Sequence, residues 1–321
     1  MSENMNTTIN GTQSSSCTID STAPKIGITL ACSVIFVVSI TGNTLIGVIV
    51  YKTPTMRKPI NFLIVNMAMS DLLYPIFAIP SLIQGLFRGP WLIGGPLGQV
   101  LCKLVIFSSD VSLVVSIQSL VLIAVDRFGA VVYPLRSPLI SSKLCPFFIL
   151  ATWIVAMAVS SPYLMVFKLV EYLGEQGCER MWNEAFGENS SYANYILAVV
   201  VVFLYTPLVL IGTLYIIIYL KLKSQKIPGE QSDNARQQHQ QRERNVLKMA
   251  VAIVLAFVVC FLSTSISIFL SSRLESFTLS CGFQYFALIA NLMTHSNCAI
   301  NPCICFIFSG NYRQGLGNLF R

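Results

Sequence analysis

Apolar and polar positions alternate on a coarse scale along this chain. Seven long apolar stretches lie near residues 26–51, 60–86, 99–132, 145–166, 192–222, 244–270 and 282–307, divided by connectors that are polar or carry Pro and Gly. A helix needs about 20 mostly apolar residues to cross the hydrocarbon core of a bilayer. Lipid offers no partner to a backbone N–H or C=O, so each stretch must satisfy its own bonds as an α-helix. The pattern predicts an all-α membrane protein, a seven-transmembrane helix bundle. A short amphipathic C-terminal helix is expected after it, with Tyr312, Leu316, Leu319 and Phe320 turned toward lipid. The chain then divides into a polar, glycosylated tail over 1–25, the bundle over 26–307 and a membrane-surface helix with a short C-terminus over 308–321.

Composition sharpens this reading. Charged residues make up 11% of the chain and hydrophobic ones 54%, whereas a soluble domain carries about 25% charged residues. The net charge of +7 does not call for a nucleic-acid partner. With the N-terminus outside, most Lys and Arg fall on the cytoplasmic side, among them Lys52, Arg57, Lys58, Arg127, Lys221, Lys223, Arg242, Arg244 and Arg313. That is the positive-inside bias of a multi-pass membrane protein. No basic-then-apolar signal peptide opens the chain, so the first span is expected to act as its own insertion signal. Sequons at Asn6, Asn10 and Asn189 all fall on the side predicted to be extracellular. Cys17, Cys102, Cys178 and Cys281 lie on that oxidising side. Cys102–Cys178 is the pairing expected there. Cys17–Cys281 is a second pairing, with an unpaired Cys17 as its alternative. Cys32, Cys145, Cys260, Cys298, Cys303 and Cys305 read as reduced packing residues.

The few polar residues inside the spans carry the functional signal, because an ionisable residue in a membrane helix marks a functional site by default. Asp71 sits near the middle of the second span, with Ser116, Asn297 and Asn301 at similar depth. One carboxylate with hydroxyl and amide oxygens suits a small hard cation; a neutral, hydrogen-bonded Asp is the alternative. Ser109, Ser112, Ser116 and Ser119 recur at helical spacing on the third span, as a packing stripe or the wall of a watery cavity. From Cys102 to Arg127 this helix is about 37 Å long, enough to cross the membrane with a slight tilt. Arg127 has two acidic candidates, its neighbour Asp126 and Glu243 at the inner end of the sixth span. A latch to Glu243 would hold that span; an interfacial charge cluster facing water is the alternative. Pro75, Pro80, Pro162, Pro207 and Pro302 each permit a kink. The segment Gln237 to Gln241 reads as solvated linker or as a helical extension, and Lys168 to Tyr192 as a loop with a hairpin pinned by Cys178.

Taken in order, these landmarks resemble the rhodopsin-like (class A) G-protein-coupled receptors across nearly the whole chain, and neuropeptide receptors among them. The matching residues are Gly42-Asn43, Asp71 within Ser-Asp-Leu-Leu, Cys102 and Cys178, Asp126-Arg127-Phe128, Trp153, Pro207 with Tyr215, Phe257 with Cys260, and Asn301-Pro302. The resemblance implies that Arg127 faces a heterotrimeric G protein and rests against Asp126 and Glu243, and that Tyr215 swings toward Arg127 on activation. It implies that Ile117, Pro207 and Phe257 connect an outer cavity to an inner cleft. It also implies a sodium ion on Asp71, Ser116, Asn297 and Asn301, no other cofactor, no catalysis, and a loop fixed by Cys102–Cys178. Three places depart from the family. Phe261 and Ser263 stand where it carries Trp and Pro, Cys305 stands where it carries Tyr, and Phe128 replaces another Tyr. Phe261 is left as the aromatic rotor, and a weaker bend is expected in the sixth helix.

The ligand is read from the outer half. Residues 282–307 hold no Lys for a retinal linkage. Receptors for amines carry Asp where this chain has Ser109. Asp110, one residue on, is turned by about 100°, which disfavours a simple amine. The second outer loop carries Glu171, Glu175, Glu179, Glu184 and Glu188 against Lys168 and Arg180, a field that steers cations or serves ordinary solubility. An extracellular peptide is expected, either one ending in an amidated basic–aromatic pair or a galanin- or somatostatin-like one. Gln84, Ser109, Asp110, Asn291 and His295 are its expected contacts, with a purely structural hydrogen bond as the alternative for His295. The competing readings are a receptor for a non-peptide small ligand, a non-signalling receptor retained as a decoy, and a transporter using Asp71. The lack of an internal repeat argues against the last.

Overall fold

The computed structural model describes residues 22–87, 91–134, 138–172, 174–224, 234–273 and 280–319, with backbone alone at 172, 234–246, 272 and 273. Every expected stretch is helical. We label them α1 (Thr22–Lys52), α2 (Pro59–Leu86), α3 (Gly95–Val132), α4 (Cys145–Val166), α5 (Tyr192–Ser224), α6 (Asn234–Arg273), α7 (Cys281–Phe308) and α8 (Gly310–Leu319). The first six are long and apolar enough to cross a membrane. The seventh matches α2 in length at 28 residues but carries Gln284, Asn291, His295, Asn297 and Asn301. It can hold them because it packs among α1, α2 and α6.

The bundle is apolar outside as well as inside. Leu30, Leu150, Val209 and Ile268 are each more than half exposed, as suits faces turned to lipid. Ile46, Leu63, Ile64, Leu120, Ile123 and Ile211 are fully buried toward the centre. The middle position belongs to α3, which touches α2, α4, α5 and α6. Asn66 joins three helices there. Its Nδ2 donates to Ser119 Oγ at 2.9 Å and Thr152 Oγ1 at 3.2 Å, and Trp153 Nε1 donates to its Oδ1 at 2.8 Å. Pro207 cannot donate to the Phe203 carbonyl. The preceding segment Val201–Tyr205 opens into a π-helical bulge, where Thr206 Oγ1 donates to the Val201 carbonyl at 2.8 Å.

Between α4 and α5 the expected hairpin forms. Strands β1 (Phe167–Tyr172) and β2 (Glu175–Arg180) pair antiparallel with Leu169 opposite Cys178. Gly174 takes φ +85° in the turn, a conformation glycine adopts without strain.

Boundaries and one side-chain orientation differ from expectation. Thr22 opens α1 ahead of residue 26, because Pro24 lies in the first turn, where a missing N–H removes no helical bond. Most of the expected tail, with Asn6, Asn10 and Cys17, lies outside the described residues. The sixth helix starts at Asn234 and so includes Gln237 to Gln241. Tyr312 does not face lipid. It is buried, and its hydroxyl donates to Asn61 Oδ1 at 3.3 Å. Gly315, on the same face, lets α8 lie on α1, since a Cβ there would come within 2.4 Å of Ile49 Cγ2. A phenol hydroxyl finds a partner in that seam and none in hydrocarbon. Leu316 and Leu319 pack against the same core. Cys32, Cys145, Cys260, Cys298 and Cys305 are buried thiols, whereas Cys303 is exposed on α7.

Candidate functional site

Two prolines decide where polar side chains must go. A proline removes the bond its nitrogen would make to the carbonyl four residues earlier. Pro302 thus frees the Cys298 carbonyl of α7, and Pro75 frees the Asp71 carbonyl of α2. Neither can stay open in a dry interior. Asn43 Nδ2 donates to Cys298 O at 2.9 Å. Ser39 Oγ lies 3.3 Å from Cys298 O and 3.4 Å from Asp71 O; one hydroxyl hydrogen is shared by two acceptors, so both contacts are long. Gly42 makes this approach possible, because a Cβ there would lie 2.7 Å from Pro302 Cβ.

The Asp71 side chain sits at the centre of the same junction. Its Oδ1 accepts from Ser116 Oγ at 2.8 Å and its Oδ2 from Asn301 Nδ2 at 2.7 Å. Ser70 Oγ is 2.9 Å from Ser116 Oγ. Asn297 is buried beside them with Oδ1 lacking a protein partner. Asp71, Ser112, Ser116 and Asn297 form one end of a cavity of about 250 Å³. It continues past Ser109 and Asp110 to Tyr163.

The hairpin lies over α3 at the Cys102 end. Cys102 and Cys178 are disulfide-bonded, with their Cα atoms 5.5 Å apart. Gln99 reinforces the bond, accepting from Leu169 N at 2.8 Å and donating to Phe167 O at 3.2 Å. Trp91 N donates to Gln176 O at 2.5 Å. Asp110 accepts from Ser160 Oγ of α4 at 2.6 Å. An aromatic chain runs outward from Tyr163, which meets Tyr195 edge-on at 5.8 Å. Tyr195 stacks on Trp182 at 5.1 Å, and the Arg180 guanidinium lies 3.8 Å from the Tyr192 ring centre.

At the opposite end Arg127 donates to Asp126 Oδ2 through Nη2 at 2.6 Å and Nε at 3.2 Å. The Glu243 side chain lies outside the described residues. Tyr215 is buried in the large core that also holds Ile117 and Phe257. Phe257 and Phe261 stack with centroids 4.4 Å apart. Thr264 Oγ1 joins α6 to α7, 2.5 Å from Thr294 Oγ1 and donating to Ala290 O at 3.0 Å.

The structure divides the five expected ligand contacts. Ser109 and Asp110 line the cavity. His295 stands behind it, hydrogen-bonded through Nδ1 to the hydroxyl of Tyr74, which does line it. Gln84 and Asn291 are elsewhere. Gln84 borders a separate hollow between α1 and α2, and Asn291 is exposed on α7. Helix phase explains both, since Gln84 is about 80° round from Tyr74 and Asn291 about 120° from Asn297. Sequence reasoning missed Ser39, Tyr74 and Tyr163. Counting four residues back from Pro302 and Pro75 gives the carbonyls that Ser39 serves.

Residues 42–304 match the seven-transmembrane receptors of the rhodopsin family. The chain belongs to that family. It is 32% identical over 300 residues to a QRFP-like peptide receptor of Branchiostoma floridae, covering 90% of this chain and 76% of the relative. It is 29% identical over 289 residues to a RYamide receptor of Drosophila melanogaster, at 89% and 61%. A growth hormone secretagogue receptor type 1 of Sus scrofa is 32% identical over 302 residues, at 91% and 80%. This rhodopsin-family receptor is therefore a multi-pass membrane protein with α7 as its seventh span, and it is no enzyme. Where the family carries Pro in α6, the Ser263 hydroxyl donates to the Val259 carbonyl of its own helix at 2.9 Å. Where it carries Tyr in α7, Cys305 is fully buried.

Proposed function

We propose that this receptor sits in the plasma membrane with its N-terminus outside, is activated by an extracellular peptide with an amidated basic–aromatic end, and signals to a heterotrimeric G protein. The single observation that carries the ligand reading is the cavity under the hairpin, with Asp110 on its wall and Tyr163 at its aromatic rim. A carboxylate in a low-dielectric cavity pairs with a guanidinium, and the rings suit a neighbouring aromatic side chain. Two of the three relatives are named as receptors for a QRFP-like peptide and for RYamide, the latter a name that spells an amidated Arg–Tyr end. Exposed Glu171, Glu175 and Glu188 along the hairpin and the loop after it add attraction for a cation. Ser109 contributes a wall contact, and His295 acts through Tyr74.

At the far end Asp126 and Arg127 form the G-protein contact, with Tyr215 and Glu243 as the partners that trade places on activation. Ile117, Pro207, Phe257, Phe261, Asn301 and Pro302 carry the change between the two ends. Asp71, Ser116, Asn297 and Asn301 fit a sodium ion. They supply oxygens only, with a single carboxylate, and the open Oδ1 of Asn297 is a ligand in waiting. Among the described residues no group of three His, Cys, Asp or Glu gathers for a heavier metal. Asn189 lies exposed in the turn before α5, where a glycan has room.

The test is a panel of amidated peptides in cells reporting several G-protein pathways. An Arg–aromatic-amide peptide is expected to activate the receptor, and Asp110→Asn to weaken it at least tenfold with surface expression intact. A charge-assisted hydrogen bond is worth about 1.5–3 kcal/mol, and about 1.4 kcal/mol is tenfold. Unchanged potency would remove Asp110 from the site.

A further inference from the structure

Arg180 sits where its acidic surroundings do not send it. Glu171, Glu175, Glu179, Glu184 and Glu188 share its loop, yet among the described residues no carboxylate pairs with it. Its guanidinium lies instead 3.8 Å from the centre of the Tyr192 ring. Strand register explains the direction. Alternate side chains of a strand leave opposite faces. Arg180 therefore goes with Cys178, whose disulfide ties that face to α3, while Glu175 and Glu179 leave on the other. Glu184 is taken by Lys168 at 2.5 Å.

The ring that Arg180 covers belongs to an aromatic wall. Trp182 meets Tyr192 edge-on at 5.2 Å, stacks on Tyr195 at 5.1 Å and lies 4.6 Å from Phe186. Its indole N–H is buried without a protein partner, so ring contacts rather than a hydrogen bond seat it. Tyr195 is anchored in turn, its hydroxyl donating to Val159 O at 2.7 Å. The face of such a ring attracts a guanidinium through its quadrupole. Arg180 is itself exposed, so it can leave the ring for water without stranding a buried charge. Tyr192 also stands within reach of the cavity rim. Centroid distances of 5.8 Å from Tyr163 to Tyr195 and 6.4 Å from Tyr195 to Tyr192 keep it within about 12 Å of Tyr163, a span that about four extended residues cover.

We propose that the Tyr192 face, backed by Trp182, is an outer guanidinium site for a second basic side chain of the peptide, up to about four residues before its amidated pair. Arg180 is the built-in competitor for that site. The identity of the ligand rests on the peptide reading above; the site itself is a property of the loop. An exposed cation–π contact is worth about two- to fivefold in affinity. In the parent receptor one guanidinium replaces another and little is gained, so the site shows itself when Arg180 is removed.

The test has two arms, both on the full-length receptor. The first needs no agonist. Saturation-transfer NMR measures acetyl-arginine amide, with acetyl-citrulline amide as control, on receptor in neutral-lipid nanodiscs carrying Asp110→Asn to silence the inner carboxylate. Adding Arg180→Ser is expected to raise the arginine signal at least threefold, Tyr192→Leu to cancel that rise, and Tyr192→Phe to keep it. No rise, an equal rise with citrulline, or a rise that survives Tyr192→Leu would overturn the site; the last result would mean that only the net charge of the loop had changed. The second arm measures potency at equal surface expression for an Arg–aromatic-amide agonist with a further Arg upstream. Arg180→Ser is expected to raise its potency at least threefold and to leave the upstream-citrulline peptide unchanged. Unchanged potency of the dibasic agonist would overturn the proposal and spare the peptide reading. A positive first arm with no amidated peptide active would retain the site and overturn that reading.

Discussion

Gly42→Ala tests the junction on which the polar centre is built. The added Cβ would stand 2.7 Å from Pro302 Cβ and 2.8 Å from Pro302 Cγ, where carbon atoms prefer about 3.5–4.0 Å. The proline ring is rigid and the neighbouring atoms are helix backbone, so α1 and α7 must separate by about 1 Å. That shift carries the Asn43 Nδ2 contact with Cys298 O from 2.9 Å out of hydrogen-bonding range, and the longer Ser39 contact with it. Overpacking costs about 1–3 kcal/mol, and a hydrogen bond inside a membrane bundle adds about 0.6 kcal/mol. The sum is about 2–4 kcal/mol. A domain of this size loses roughly 2–4 °C per kcal/mol, so the detergent-solubilised receptor should melt about 5–15 °C lower. The double variant Gly42→Ala/Asn43→Ala adds a sharper check. If the alanine already breaks the Asn43 bond, the double variant should be less destabilised than the two single losses summed. A melting temperature within 1 °C of the parent, or strict additivity, would refute this account of the junction.

Two other outcomes follow from the same geometry. Arg127→Ala should abolish G-protein activation while labelled peptide still binds the surface receptor; a full nucleotide-exchange response would end its assigned role. Asp71→Asn should change stability by about 1 kcal/mol or less, because Ser116 can rotate and Asn301 can flip to meet an amide. It should also remove any effect of added sodium chloride on agonist affinity relative to an equal concentration of a bulky organic cation, and a sodium effect of undiminished size would count against the cation site.

Much of this architecture was legible because lipid leaves so few solutions. Apolar length alone predicted the seven long helices, and the oxidising side together with the landmark pattern pointed to Cys102–Cys178. Asp71, Ser116 and Asn301 meet as expected because a buried carboxylate must find donors, and those were at its depth. What stayed hidden depends on rotation about helix axes. Gln84 and Asn291 looked like pocket residues by depth and type, but helix phase turned them away. Tyr312 was assigned to lipid from its spacing; Gly315 seats its helix on α1 and so turned the phenol inward. Ser39 could not be told from a packing serine until the carbonyl that each proline leaves bare was traced.

The sixth helix has a mechanical consequence. It contains no proline from Asn234 to Arg273, and Ser263 leaves its ladder whole. The helix is therefore a stiff rod of about 60 Å, fastened to α7 at Thr264. About 13 Å of rod lies on the hairpin side of that fastening and about 45 Å on the other. A rod so divided works as a lever with a gain of roughly three: a 1 Å inward pull at the hairpin end sweeps the opposite tip by about 3 Å, with no hinge in between.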